Sequence, residues 1–366
     1  MNDGESGANA EKHAHANTKK RSGRHRAGGK FRREDRYAAL DLGTNNCRLL
    51  IAAPRGKSYR IVDAFSRIVR LGEGLSQSGR LSEAAMARAI SALRECASKI
   101  DRRGATHIRC IATQACRGAA NGAEFLERVR QETGLSFEII STEEEARLAV
   151  AGCADLLSPQ SLAGLVFDIG GGSTEISWIR RSEQGGAADI AAWTSLPFGV
   201  VNLSEKWGGH EISAETYDAI AEEVRSVIAD LGDPAGLKSV FEKDEAHLLG
   251  TSGTVTSIAG VHLGLTRYRR DRVDGLWLSS SDARAVSQSL RAMSFEERSA
   301  EPCIGEERAD LVVCGCAILE GLQREWPASR IRVADRGLRE GILDGLACEA
   351  RAQRKIKRRR ERNNLR

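Results

Sequence analysis

The sequence predicts an α/β fold assembled from two related halves. Three observations lead there. First, Tyr37–Leu42 and Gly164–Asp168 are apolar strand patterns that run into turns rich in glycine and hydroxyl or amide residues. The turns are Asp41-Leu42-Gly43-Thr44-Asn45-Asn46 and Asp168-Ile169-Gly170-Gly171-Gly172-Ser173. Second, their aspartates stand 127 positions apart and each turn leads into another strand pattern, so the repeat is a whole α/β unit. Third, runs of period two alternate with runs of period near 3.6 between and after them.

Taken in order, residues 1–36 are rich in Gly, Ser, Asn, Lys and Arg and lack apolar periodicity, which predicts a disordered basic tail. His13 and His15 within it are read as incidental rather than as metal ligands. Strands are expected at Tyr37–Leu42, Arg48–Ala53 and Tyr59–Val69. Ser82–Lys99 carries Ala85, Ala89, Leu93 and Cys96 on one helical stripe, with Ser82 as N-cap. A strand at His107–Thr113, a helix at Ala123–Glu132, a strand at Phe137–Ile140 and a helix at Glu143–Ala154 complete the first half. Ser158-Pro159 marks the linker, giving domains of 37–160 and 161–349. The second half restarts with strands at Gly164–Asp168, Glu175–Arg180 and Ala191–Leu196. Helices at Ala214–Leu231 and Pro234–Lys243 follow, then a strand at Ala246–Gly250 and helices at Gly305–Leu322 and Gly337–Cys348. A basic tail, 350–366, closes the chain.

A chain of 366 residues is long enough for two cores. No apolar run approaches the roughly 18 residues that span a bilayer. The polar N-terminus predicts no secretory signal. Nine cysteines without framework spacing suit reduced thiols in a cytoplasm, and Cys314-Gly315-Cys316 reads as core packing. The five tryptophans are scattered and also read as core. Charge is unevenly placed. Residues 1–36 hold ten basic and five acidic residues, and 350–366 hold nine and one, which leaves 36 basic against 44 acidic between them. The body is acidic and the tails are basic, a pattern suited to weak nucleic-acid or polyanion contact through the tails.

The chemistry indicated is that of phosphate. Glycine lets backbone approach an anion closely, and hydroxyl and amide groups donate to phosphate oxygens. An aspartate beside a phosphate needs a divalent cation or a water between them. A third loop, Gly250-Thr251-Ser252-Gly253-Thr254, precedes an apolar helix start and can offer amides to an anion. Glu143-Glu144-Glu145 opens a helix. Acids there complement the helix dipole, and one of them aimed into a cleft would activate water. Arg48, Arg70, Arg117 and Arg267 follow strands or lie in loops, and the planar fork of arginine matches phosphate oxygens. Glu73 reads as a loop acid. No P-loop and no nucleophile elbow is present.

Together these pieces resemble the exopolyphosphatase/guanosine pentaphosphate phosphatase (Ppx/GppA) family, of the actin, Hsp70 and sugar-kinase superfamily. The matching segments are Asp41–Leu50, Arg70–Leu75, Ala112–Arg117, Ile140-Ser141 leading to Glu144–Leu148, Asp168–Glu175, Gly250–Thr254, Glu307–Asp310 and Asp335–Gly341. They occur in family order over about 37–345. The resemblance implies two ribonuclease H-like domains around a cleft. It implies hydrolysis of the terminal phosphate of inorganic polyphosphate, or of the γ-phosphate of guanosine pentaphosphate, with water as acceptor. Glu145 matches the catalytic base, and Asp168 the residue that holds Mg²⁺ and positions the nucleophile. Asp41 and Glu175 match cation-linked acids, with Mn²⁺ as the alternative metal. Thr44, Asn45, Asn46 and Arg48 match the first phosphate loop, Gly170, Gly171, Gly172 and Ser173 the second, and Arg117 a phosphate-binding arginine. Gly250, Ser252, Gly253, Thr254 and Arg267 would serve phosphate or a nucleotide base and ribose. The match is to the short form, without a C-terminal HD-like domain, which bears on processivity and on a homodimer. The rival to an enzyme is a polyphosphate- or nucleotide-binding regulator with RNA-binding tails.

Overall fold

The computed structural model describes residues 35–55, 58–181 and 188–363. The expected tail 1–36, with His13 and His15, lies outside the described residues except for Asp35 and Arg36. The described residues form one compact unit.

Two sheets organise it. The first contains β1 (Tyr37–Leu42), β2 (Asn46–Arg55), β3 (Ser58–Ile68), β4 (His107–Ala112) and β5 (Phe137–Ile139), in the order β3-β2-β1-β4-β5. The second contains β6 (Ala163–Ile169), β7 (Thr174–Arg181), β8 (Ala188–Leu196), β9 (Ala246–Thr251), β10 (Trp277–Ser279) and β11 (Arg330–Val333), in the order β10-β11-β9-β6-β7-β8. In each, the first three strands form an antiparallel meander, and the first of them then pairs parallel with the fourth. The duplication read from the two Asp–Gly turns is therefore a duplication of topology.

Local chemistry sets the helix ends. Ser82 caps the helix Glu83–Arg103 by accepting from the Ala85 amide at 3.2 Å, and Gly104 ends it in the left-handed region that glycine tolerates. Ser141 caps Thr142–Cys153 through the Glu144 amide at 3.1 Å. The expected helix Pro234–Lys243 shrinks to Lys238–Glu242, because the Asp233 carboxylate takes the amides of Leu237 and Lys238 and holds a turn. The expected Gly305–Leu322 splits into Glu306–Ala309 and Val312–Glu325 around Asp310. The expected Gly337–Cys348 runs on as Leu338–Asn363, so the basic C-terminal segment continues a helix. Helix Val200–Trp207 and strands β10 and β11, all short, escaped the pattern reading, and so did the longer amphipathic helix Ser280–Ala292.

The helix that carries Glu145 is fixed from behind. Leu338–Asn363 leaves the second half and buries Ile342, Leu343, Leu346 and Ala347 against Leu148 and the first sheet. It crosses Thr142–Cys153 at closest range. A Cβ on Gly152 would stand 1.9 Å from the Gly337 carbonyl oxygen, and one on Gly341 2.1 Å from that of Leu148.

Candidate active site

Each half contributes one Asp–Gly hairpin. In the β1–β2 hairpin Asp41 stands directly opposite Arg48. In the β6–β7 hairpin Asp168 stands opposite Glu175. Both turns turn their carbonyls away from the cleft. In the first, Asn45 O accepts from the amides of Val69 and Arg70, and Thr44 O from Gly72. In the second, the carbonyls of Gly170 and Gly171 accept from Val200 and Val201, at the start of Val200–Trp207, and Gly172 O accepts from Asn202 Nδ2. Backbone amides are thereby left for an anion.

The turns touch each other. A Cβ on Gly171 would lie 3.0 Å from Thr44 Cβ and 3.1 Å from the Asn45 nitrogen, and one on Gly172 3.0 Å from Thr44 Oγ1. A side chain at either position would press on the first turn, which would have to give way by a few tenths of an ångström. The segment Arg70–Leu75 backs the first turn with its amides, while the Arg70 guanidinium binds both carboxylate oxygens of Asp310, at 2.8 and 2.9 Å. The first turn is thus tied across the molecule to the short helix Glu306–Ala309.

A cavity of about 610 Å³ opens between these parts. It is lined by Asp41, Thr44, Asn45, Asn46, Arg48, Glu145, Asp168, Gly170, Gly171, Gly172, Ser173, Glu175, Ser252, Gly253 and Thr254. Of the three acids that open the helix, Glu143 is exposed, Glu144 is bound by Arg109, and Glu145 reaches the cleft. Both terminal nitrogens of Arg117 donate to Glu145 Oε2 at 3.1 Å, which leaves Oε1 to face water.

Four carboxyls crowd this space. Burial raises Glu145 well above the ordinary range, and repulsion from Glu175, Asp41 and Asp168 adds to it, while Arg117 opposes. Burial lifts Asp41 to about 6 against the pull of Arg48 and Arg339. Burial, then repulsion from Asp168, lifts Glu175 to about 7, although Ser173 and Ser195 donate to its Oε1 at 2.7 and 2.9 Å. Asp168 is also raised by burial, with Arg48 pulling it down.

Four residues of the sequence reading fall elsewhere. Arg117 spends its guanidinium on Glu145, Ile140 O and Gln114, so it orients the carboxylate instead of standing open to phosphate. Arg70 is committed to Asp310. Arg267 is exposed and outside the cavity lining. Gly250 is a packing residue, since a Cβ there would stand 2.4 Å from the Phe167 ring. Conversely, Arg308 and Arg339 line the cavity with Arg48, and none of the three has a hydrogen-bonded or ion-paired partner among the described residues. Sequence reasoning placed both in matching segments without giving them a role. The signal available was an arginine next to acidic residues inside each matching segment. Ser252 holds a left-handed φ of 80° and donates to Ile169 O at 2.8 Å, joining the third loop to the end of β6.

Two sheets of one topology, each offering an Asp–Gly hairpin to a common cleft, define a protein of the actin-like fold built to handle phosphate. The model of the Ppx/GppA phosphatase family matches residues 50–349, and the chain belongs to that family. Exopolyphosphatase 2 of Mycobacterium tuberculosis is 29% identical over 326 residues, covering 85% of this chain and 98% of the relative. The crystal structure of the Aquifex aeolicus Ppx/GppA family member shares 28% identity with a TM-score of 0.71, over 86% of this chain and 98% of that one. An exopolyphosphatase structure from Cytophaga hutchinsonii, 24% identical with a TM-score of 0.75 over 86% of this chain and 98% of that one, bears on the fold alone. Among the described residues no helix is long and apolar enough to cross a membrane.

Proposed function

We propose that this chain releases the terminal phosphate of inorganic polyphosphate by in-line attack of a water activated by Glu145. The observation that carries the reading is the placement of Glu145. Its carboxylate lines the same cavity as both phosphate turns, with Oε2 clamped by Arg117. Oε1 takes a proton from water as the water oxygen bonds to phosphorus. The bridging P–O bond breaks, and orthophosphate and a chain shorter by one leave. A base whose pKa burial raises above the ordinary carboxylate range is suited to this transfer. The turn amides with Arg48, Arg308 and Arg339 hold the phosphates, so most of the catalysis is positioning and electrostatics.

The residues present fit a hard divalent cation. Asp41 Oδ1 is buried without a hydrogen-bond partner, and the donor set is carboxylate oxygen. Among the described residues no group of three His, Cys, Asp or Glu could hold a metal by itself. This accords with Mg²⁺, which commonly takes one or two carboxylates together with substrate phosphate. Asp41 and Asp168 would hold it, with Glu175 behind. Bound Mg²⁺, or Mn²⁺, would neutralise charge on the transferred phosphoryl group.

Guanosine pentaphosphate is the second reading. The Tyr268 ring, Cys303 and Ile304 give the cavity one less polar wall against which a purine could lie. The test is phosphate release with Mg²⁺ from polyphosphate and from guanosine pentaphosphate, in parallel with Glu145→Gln. Release from polyphosphate that drops roughly 10²–10⁴-fold in the variant is expected. Release only from guanosine pentaphosphate moves the assignment to the nucleotide, and unchanged turnover in Glu145→Gln rejects the base.

A further inference from the structure

Both phosphate turns lean on one short helix, Val200–Trp207. Its first amides hold the carbonyls of the second turn, and its other end reaches the first half of the chain. There Glu205 accepts from the Gly74 amide through Oε1 at 2.7 Å and from the Ser76 hydroxyl through Oε2 at 2.6 Å. Glu205 is half-buried and has no cationic partner among the described residues. The neighbouring Lys206 is taken by Glu223, at 2.9 and 3.0 Å. A carboxylate whose two oxygens both accept from neutral donors of one loop is placed to grip that loop, because charge-assisted hydrogen bonds are about twice as strong as neutral ones.

Ser204 continues the tie. Its hydroxyl donates to Asp310 O at 3.1 Å, and the Asp310 carboxylate is the one that binds Arg70. Gly209, just past the helix, lies against the same carbonyl, since a Cβ there would stand 2.1 Å from it. The loop 70–76 is therefore held at Arg70, Gly74 and Ser76, each time by a residue of the second half. On its other side this loop carries the first phosphate turn. Val69 and Arg70 donate to Asn45 O at 2.8 and 3.0 Å, and Gly72 donates to Thr44 O at 2.9 Å. A Cβ on Gly72 would lie 2.3 Å from Thr44 Cγ2, so loop and turn are in direct contact.

In-line attack demands that both turns hold the phosphates in register with the water, and a displacement of about 1 Å made far from the chemistry can cost roughly 10²-fold. We infer that Glu205 is a positioning residue: by gripping the loop 70–76 it fixes the first phosphate turn at its working distance from the second. This role rests on the phosphate-releasing reading above. Glu205 lies outside the lining of the cleft and acts through Gly74 and Ser76.

The experiment compares wild type, Glu205→Ala, Glu205→Gln and Ser76→Ala. Phosphate release from polyphosphate with Mg²⁺ is measured at a temperature where urea titration finds every variant folded, and hydrogen–deuterium exchange of residues 69–76 is followed alongside. Glu205→Ala is expected to lower kcat roughly five- to twentyfold while KM moves less than about threefold, because the groups that bind phosphate remain and only their alignment is lost. Gln keeps an oxygen for the Gly74 amide and offers an N–H to Ser76 Oγ, so Glu205→Gln should return to within about threefold of wild type. Ser76→Ala, which removes one of the two bonds, should fall between Glu205→Gln and Glu205→Ala. Exchange at Val69, Arg70 and Gly72 should quicken in Glu205→Ala. An unchanged kcat, a rise in KM with kcat held, or equal losses in Glu205→Gln and Glu205→Ala overturns the role. A wild type that releases phosphate from neither polyphosphate nor guanosine pentaphosphate sinks the functional reading instead. Exchange alone then decides the grip: quickened exchange in Glu205→Ala upholds it, and unchanged exchange removes it.

Discussion

The two Asp–Gly hairpins share a strand topology and differ in the residue opposite the aspartate. Asp41 faces Arg48 across β1–β2, and Asp168 faces Glu175 across β6–β7. One scaffold therefore supplies a partly neutralised carboxylate and a cation for phosphate. The other supplies two buried acids: burial, then the charge of Asp168, lifts Glu175, and burial, then the charge of Glu175, lifts Glu145 across the cleft. The residue opposite the aspartate differs in charge between the two hairpins, although Arg48 pulls on both aspartates. Burial raises both aspartates, so each hairpin brings a carboxylate that is costly to charge into the cleft.

The largest expected effect breaks the comparison if it fails. Asp168→Asn should lower kcat by roughly 10²–10³, and Asp41→Asn by about tenfold, because Arg48 still stands beside the first turn to hold phosphate. Steady-state rates at saturating Mg²⁺ decide it, and equal losses would mean that the opposing residue does not set the two roles.

A smaller effect concerns pH. The base must be deprotonated, so kcat/KM should rise with pH along a limb above the usual carboxylate range, belonging to the coupled cluster. Glu175→Gln removes one source of repulsion and should shift that limb downward. The same variant tests linkage. A carboxyl whose folded pKa is raised to about 7 gives stability that is full below its ordinary value and is lost as pH rises through 7. Gln keeps an oxygen for Ser173 and Ser195 without a buried charge. Its gain in Tm over the wild type should thus be larger at pH 8 than at pH 5 in metal-free protein. A gain independent of pH would contradict the shift.

The smallest effect is steric. Gly171→Ala places a methyl 3.0 Å from Thr44 and should cost roughly 1–3 kcal/mol in chemical unfolding. An equally stable variant would mean that the hairpins need not touch.

Much of this was legible in advance. Asp41, Asp168 and the turn glycines belong to motifs whose local spacing carries their chemistry, Glu145 was singled out from its two neighbours by the family resemblance, and the structure gathers them around one cavity. Arg117 was legible as a cleft arginine but not as the clamp on Glu145, since its partners lie 23 and 28 residues away at Ile140 and Glu145. Arg70 was read toward phosphate and instead bridges 240 positions to Asp310. Arg308 and Arg339 went without a role because nothing local separates an arginine that faces a cleft from one that faces solvent.

The sequence by itself determined the duplicated α/β plan, the two Asp–Gly turns and the run of three glutamates that opens a helix, because strand period, turn chemistry and helix caps act over a few residues. Only the tertiary structure decided which arginines are spent on carboxylates and which remain open. It also decided how closely the hairpins approach and which carboxyls are forced to share one desolvated space. Those outcomes follow from burial and from pairing across the fold, where a charge is worth what its distant neighbours leave it.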